Sequence, residues 1–173
     1  MATMLADAAS PRDGGDLLDA SIRALLLFDS EAQVIAIREL LSASRRESYY
    51  IEWGAPFGAG PDLLRDGVYD VCLLSCQSAE DDLRVLRESE SVARRAPIVV
   101  LTAPGDQVTE AAAMAAGATD SLDWDIVDTD RLDRTLRSAV ERNRLVRHLG
   151  DALIQVAALR RSLARTAPDV GAG

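Results

Sequence analysis

The sequence contains no lysine, and all nineteen of its basic residues are arginine. This absence excludes every mechanism that needs a lysine amine, such as Schiff-base catalysis or the lysine of a nucleotide-binding phosphate loop. Acidic residues outnumber the arginines by 28 to 19, which gives a net charge of −9. Because a general nucleic-acid binder needs a basic surface to displace counterions, we expect no nucleic-acid partner.

Cysteine and histidine are almost as scarce. Cys72, Cys76 and the single His148 are too few for a disulfide framework, or for a structural zinc site that uses no carboxylates. The sequence also lacks an apolar run of the roughly 18 residues that a membrane span needs, and its first residues do not form a secretion signal. We therefore expect a cytoplasmic protein with no membrane segment, metal or cofactor. The arginine- and alanine-rich composition is typical of a bacterial source.

The rest of the sequence alternates between apolar runs and helical patterns. The runs that predict strands are residues 24–28, 49–53, 71–74, 98–101 and 121–122. The patterns that predict helices are residues 31–43, 61–65, 79–95, 108–116 and a long segment from 129 onward. Five strand–helix pairs are typical of an α/β protein with a flavodoxin-like, doubly wound parallel sheet.

The polarity of the runs predicts the strand order. The first, third and fourth runs are apolar on both faces, as central strands are, whereas the second and fifth contain polar residues, as edge strands do. These features favour the order 2-1-3-4-5, in which ligands bind at the carboxyl ends of the strands. The residues that end or follow strands one, three, four and five are Asp29, Ser75, Thr102 and Trp124. We expect them to converge at that edge.

Charge and periodicity divide the chain into three parts. We predict a flexible acidic tail over residues 1–20, the α/β domain over 21–144, and a helical extension with its own tail over 145–173. In the extension, apolar residues recur at spacings of four and three, which is typical of a coiled-coil seam: Leu145, Leu149, Ala152, Val156, Leu159 and Leu163. The domain does not need this seam for its own core. We therefore expect a homodimer through parallel extensions, through the fourth and fifth helices, or through both. The alternatives are that the extension folds back on the domain or docks on another protein.

Three segments resemble the receiver domain of two-component response regulators. They are Tyr69-Asp-Val-Cys-Leu-Leu-Ser75, Ala96-Pro-Ile-Val-Val-Leu-Thr-Ala103 and Ala116-Gly-Ala-Thr-Asp-Ser-Leu122, and the resemblance extends over residues 22–145. It implies a site in which three acids bind Mg²⁺ and one of them accepts a phosphoryl group. A threonine or serine and a lysine then bind the phosphoryl oxygens, and an aromatic residue on strand five reports the switch. It further implies that the last helix continues into an output module.

The sequence departs from that pattern at most functional positions. By the resemblance, Ser75 stands at the phosphoacceptor position, and a seryl oxygen forms no acyl phosphate. The five other positions make up what we call the vestigial pocket: Phe28 in place of an acid, Ser121 in place of the aromatic residue, Trp124 in place of the lysine, and the retained Asp29 and Thr102. We therefore expect a degenerate pseudo-receiver that is not an enzyme.

Such a pseudo-receiver is expected to bind another signalling protein or a downstream output domain without being phosphorylated. The resemblance makes a cyclic-di-nucleotide enzyme or a kinase the expected output. Two alternatives stay open at the level of sequence. The fold can serve as a ligand or redox sensor that uses Trp124, Asp29 and Cys76, or as an unconventional receiver that is phosphorylated on Ser75.

Overall fold

A computed structural model describes residues 21–54, 60–66, 68–76, 81–89 and 96–166. The predicted tail over residues 1–20 and the final residues 167–173 lie outside this part. Five parallel strands form one sheet in the order β2-β1-β3-β4-β5, which confirms the predicted fold class and strand order. The strands are β1 (Ile22–Leu27), β2 (Tyr49–Trp53), β3 (Val71–Cys76), β4 (Ile98–Thr102) and β5 (Asp120–Asp123).

Helices follow the strands in alternation and cover both faces of the sheet. They are α1 (Glu31–Ser42), α2 (Gly60–Asp66), α3 (Asp81–Ser89), α4 (Gln107–Ala115) and α5 (Thr129–Thr166). The 38 residues of α5 make it about 57 Å long at 1.5 Å per residue. The helix continues through Gly150 without a break, so this glycine does not end it.

The alternation of side chains along the strands produces two cores. One face of the sheet, with residues such as Leu26 and Leu73, packs against α1 and α5, whose buried residues include Ile37 and Leu136. The other face packs against α2, α3 and α4. Every residue of β3 and β4 is buried, as their apolar sequences predict for central strands.

Two predicted boundaries need correction. Cys76 was expected just past the third strand, but it is the last residue of β3 and pairs with Thr102 of β4, because the ladder continues one step beyond Ser75. The second helix was predicted over residues 61–65, but α2 begins one residue earlier, at Gly60. The segment 90–95 of the predicted third helix lies outside the described residues.

A buried carboxylate fastens α5 to the opposite edge of the domain. Asp133 is 3% exposed, and its Oδ1 accepts hydrogen bonds from the hydroxyls of Tyr49 and Ser44, both at 2.9 Å. Arg137 lies one turn along, with its Nε 3.9 Å from the other carboxylate oxygen. Burial, followed by the hydrogen bond to Asp133, raises the pKa of Tyr49, so this hydroxyl stays protonated and keeps donating.

Two ion pairs mark the point where α5 leaves the domain. Arg142 contacts Asp120 at the amino end of β5, and Arg144 contacts Asp70 just before β3, both at 3.1 Å. Beyond Arg144 every described side chain of α5 is exposed. Its apolar residues give the extension a wide uncovered surface, although no helix among the described residues is long and apolar enough to cross a membrane.

Candidate functional site

The carboxyl edge of the sheet is closed by two aromatic side chains. Phe28 follows β1 and is 1% exposed, and Trp124 follows β5. Their ring centroids are 6.0 Å apart with an interplanar angle of 68°, an edge-to-face contact of the kind that aromatic pairs favour. Neutral rings therefore occupy two positions at which the resemblance implies an acid and a lysine.

A second tryptophan supports this arrangement from β2. The indole N–H of Trp53 donates to the backbone carbonyl of Phe28 at 2.8 Å, which fixes the chain as it turns from β1 towards α1. The indole N–H of Trp124 is buried and has no hydrogen-bond partner among the described residues. Trp124 therefore stays in place by packing against Phe28 and the surrounding core rather than by a polar contact.

Ser75 lies on β3, at the position where the resemblance implies a phosphoacceptor, and is 6% exposed. Its hydroxyl donates to the amide oxygen of Gln33 at 3.1 Å. An amide oxygen is too weak a base to take the hydroxyl proton, so this contact does not activate Ser75 as a nucleophile. Sequence reasoning missed Gln33. Its position in the first turn of α1 could have indicated the contact with Ser75, because α1 follows β1 so closely that this turn lies over the strand ends.

Thr102 and Ser121 turn towards a different space. The Thr102 hydroxyl donates to the carbonyl of Leu122 at 3.4 Å, and the Ser121 hydroxyl donates to a carboxylate oxygen of Glu110 at 2.7 Å. Both residues line a cavity of about 360 Å³ between α4, β5 and α5. Thr102 and Asp123, at the carboxyl ends of β4 and β5, thus link the strand ends to this cavity, and the structure does not place Ser121 beside the Phe28–Trp124 pair.

The remaining acid of the vestigial pocket is isolated. Asp29 lies between β1 and α1 and is exposed. In the described part of the chain, no group of three or more histidine, cysteine or acidic side chains is placed to hold a metal ion. One exposed carboxylate supplies too few oxygen ligands for a protein-held divalent cation.

Two other carboxylates hold the loop after β4 in place. Asp123 accepts hydrogen bonds from the backbone N–H groups of Gly105 and Asp125, both at 2.8 Å, and these bonds lower its pKa. Asp106 accepts from the hydroxyl and the backbone N–H of Thr109, which lowers its pKa and caps α4. These hydrogen bonds therefore give both acids a structural role in the loop between β4 and α4.

The two thiols are buried, and the imidazole lies on the extension. Cys72 is fully buried, and this burial raises the pKa of its thiol. Cys76 is 1% exposed, which disfavours the proposed contact with an oxidant in solution. His148 lies on the exposed extension, beyond the ion pair of Arg144 at the amino edge of the sheet, so it does not reach Ser75.

No protein-family model and no curated protein matches the sequence. Solved structures do match the fold. NtrX from Brucella abortus aligns at 20% identity and a TM-score of 0.64 over 76% of this chain, which spans only 29% of the length of NtrX. The receiver domain of a sensor histidine kinase from Pseudomonas aeruginosa aligns at 23% identity and a TM-score of 0.57, over 70% of this chain and 99% of that domain.

A third match is the signal receiver domain of a modulated diguanylate cyclase from Desulfovibrio desulfuricans G20. It aligns at 17% identity and a TM-score of 0.59, over 72% of this chain and 98% of that domain. The receiver domain of the Pseudomonas aeruginosa histidine kinase holds a magnesium ion coordinated in its active-site cleft, whereas the carboxyl edge of the sheet here carries the Phe28–Trp124 pair. At these identities the matches establish architecture, and the chain has the fold of the receiver domains of signal-transduction proteins.

Proposed function

We propose that this chain is a phosphorylation-independent pseudo-receiver that acts as an interaction and dimerisation module in bacterial signal transduction. The observation that carries the proposal is the packing of Trp124 on Phe28. Phosphoryl transfer at a receiver site needs cations to balance the charge on the phosphoryl oxygens. Two neutral rings at these positions supply none, and they exclude the water and ions that would.

The environment of Ser75 supports the same proposal. Its hydroxyl faces the neutral Gln33, and the vestigial pocket keeps the single acid Asp29. Without a base the serine is a poor nucleophile, and without a set of oxygen ligands the site has low affinity for Mg²⁺. We therefore propose that the domain has no catalytic activity of its own.

The exposed extension supports the assembly part of the proposal. Four large side chains of the predicted seam are described, and each is roughly half or more exposed: Leu145, Leu149, Val156 and Leu159. Apolar surface of this extent on one face of a helix favours packing against another helix. We propose that two copies pair in parallel through this seam, which we call the first seam, with Leu163 continuing it in sequence.

The chain's likeness to part of longer signalling proteins supports a role next to an output domain. It spans 29% of NtrX, and the diguanylate cyclase match is to a receiver domain of that enzyme. We propose that the module acts in the cytoplasm beside a cyclic-di-nucleotide enzyme or a kinase. In this role α5 sets the distance between the output domains of the two paired copies.

The test is exposure of the protein to acetyl phosphate with Mg²⁺, followed by intact-mass analysis, and to beryllofluoride with Mg²⁺, followed by tryptophan fluorescence. We expect no added mass and no spectral change in the native chain or in Ser75→Ala. The combined variant Phe28→Asp, Ser75→Asp, Trp124→Lys is expected to gain a response. If it does not fold, Phe28→Asp with Ser75→Asp restores three acids beside one another and is expected to gain Mg²⁺ binding, read by tryptophan fluorescence. A phosphoryl adduct on Ser75 of the native chain overturns the proposal and establishes the unconventional receiver.

A ligand sensor is the second candidate, because the buried indole N–H of Trp124 has no described partner. A small molecule with a hydrogen-bond acceptor that enters this edge would change Trp124 fluorescence. Since Trp53 is the only other tryptophan, the signal is read in Trp53→Phe. A saturable change with one member of a nucleotide and metabolite panel would favour the sensor, and a flat response would exclude it for that panel.

A further inference from the structure

The extension carries a second apolar seam beside the first. Val146 and Leu153 are 67% and 70% exposed, and with Gly150 and Ala157 they repeat the same spacing of four, three and four. Each position is one residue after a position of the first seam. Over residues 145–157 the polar side chains are confined to the opposite side of the helix: Arg147, His148, Asp151 and Gln155.

The offset between the seams indicates how many helices the extension contacts. Successive residues of an α-helix are rotated by about 100°, so the two seams face directions about 100° apart. A two-stranded coiled coil buries one seam and leaves Val146 and Leu153 in water. In a four-helix bundle each helix has two neighbours, in directions about 90° apart. We propose that the extensions of four copies of this chain form a four-helix bundle, which rests on the proposed pairing and adds a second interface to it.

The domain itself dictates the direction of the second neighbour. Counting back from Val146 in steps of three and four gives Asn143, Ala139 and Leu136, and the last two are fully buried against the sheet. The second seam therefore continues the side of α5 that packs against the sheet, and it lies directly beyond the amino edge of the domain. A parallel neighbour on this seam would have to pass through the domain, so the neighbour runs antiparallel and its last turns approach the domain's amino edge.

The first seam has a different continuation. The same count back from Leu145 gives Arg142 and Ser138, which are exposed. A parallel neighbour on the first seam therefore passes alongside the domain. The assembly is two parallel pairs joined antiparallel, with two domains at each end.

Charge and side-chain size fit this antiparallel contact. The later part of the extension carries Arg160 and Arg161, and the domain edge that these arginines approach carries Glu47, Asp70 and Asp120 at the amino ends of three strands. Asp70 and Asp120 already contact Arg144 and Arg142 of their own chain, so they would be shared with the neighbour's arginines. Opposite charges across an interface favour and orient association.

Large and small residues also alternate along the second seam, and nothing lies within 4 Å of a Cβ added at Gly150. A two-fold axis lets Leu153 of one copy lie over a small residue of the other, and the reverse. Pairing through the first seam buries four large described side chains per copy. The contact through the second seam adds Val146 and Leu153 to the buried apolar surface of each copy.

Light scattering on the full chain tests the proposal, with single substitutions at exposed positions of α5. We expect the native chain to have four times the mass of one chain, and Leu153→Glu to halve that mass. Gln155→Glu, on the polar side of the same turn, is the matched control and should leave the mass unchanged. Circular dichroism of each variant verifies that helix content is kept.

Every outcome bears on the proposal. A native dimer overturns the four-helix bundle but leaves the proposed pairing intact, and the second seam then belongs to another protein. A native monomer overturns both. A tetramer that survives Leu153→Glu removes the second seam from the interface, and a tetramer that Gln155→Glu also disrupts contradicts the placement of the polar side of α5 in solvent. In the Leu153→Glu dimer, an added Ala152→Cys should form a disulfide between parallel first seams, with the native cysteines buried.

Discussion

Phe28 and Trp124 should stabilise the fold jointly, so that their contributions to the free energy of unfolding are not simply additive. Replacing a buried phenylalanine or tryptophan by alanine costs about 3–5 kcal/mol. Phe28 is 1% exposed and belongs near the middle of this range, whereas Trp124 is partly exposed and belongs near its lower end. We therefore expect Phe28→Ala to lower the free energy of unfolding by about 4 kcal/mol and Trp124→Ala by about 3 kcal/mol. The second loss corresponds to a fall in Tm of about 6–12 °C for a chain of this size.

The double variant should cost less than the sum of the two. An edge-to-face aromatic pair contributes about 1 kcal/mol beyond its buried area, and this coupling is lost with the first substitution. Urea unfolding of the four proteins, at one protein concentration and followed by circular dichroism, measures the coupling. Strict additivity, or a cost below about 1 kcal/mol for Trp124→Ala, would refute the view that Trp124 closes this edge by packing.

Three further predictions concern the scaffold. The hydrogen bonds from Gly105 and Asp125 lower the pKa of Asp123 in the folded state, so their stabilisation is present above about pH 4 and is lost as the pH falls through the folded pKa. Asp123→Asn should therefore weaken the acid dependence of urea unfolding between pH 5 and 2, and an unchanged slope would contradict this. Tyr49→Phe removes one of the two hydroxyl donors to Asp133 and should cost about 1.5–3 kcal/mol in thermal unfolding, whereas a neutral effect would mean that the bond is replaced by water. Gly117 has a φ of +102°, so Gly117→Ala should lower stability by about 1 kcal/mol although its Cβ meets no atom, and an increase would contradict the positive φ.

The sequence predicted most of the fold because the strands follow simple rules. The fully apolar runs at β3 and β4 are central strands, and the polar residues of β2 and β5 place these strands at the edges. The residues at which the strands end were harder to predict than the strands themselves. Cys76 continues β3 because β4 offers Thr102 as a partner, and a pairing between distant segments leaves no local signal.

The candidate site was predictable in composition but not in geometry. The resemblance identified Phe28, Ser75 and Trp124, and the structure adds that two of them pack together while Ser75 contacts Gln33. Ser121 could not be assigned to its cavity from sequence, since its direction depends on how α4 packs on β5.

The burial of Asp133 likewise could not be predicted from the sequence. An acid in an arginine-rich helix is typical of a solvated face, and only the hydroxyls of Tyr49 and Ser44, more than eighty residues away in sequence, explain its burial.

The most direct test of the central claim is the solution mass of residues 1–173 and of a version ending at Arg144, each with and without Mg²⁺ and beryllofluoride. We predict that the full chain assembles through its extension, that the shortened chain is a monomer, and that beryllofluoride changes neither mass. If both chains form the same oligomer, the interface lies in the domain, at α4 and the first half of α5, and if both are monomers the extension does not assemble with itself. A mass that depends on beryllofluoride would contradict phosphorylation-independent assembly.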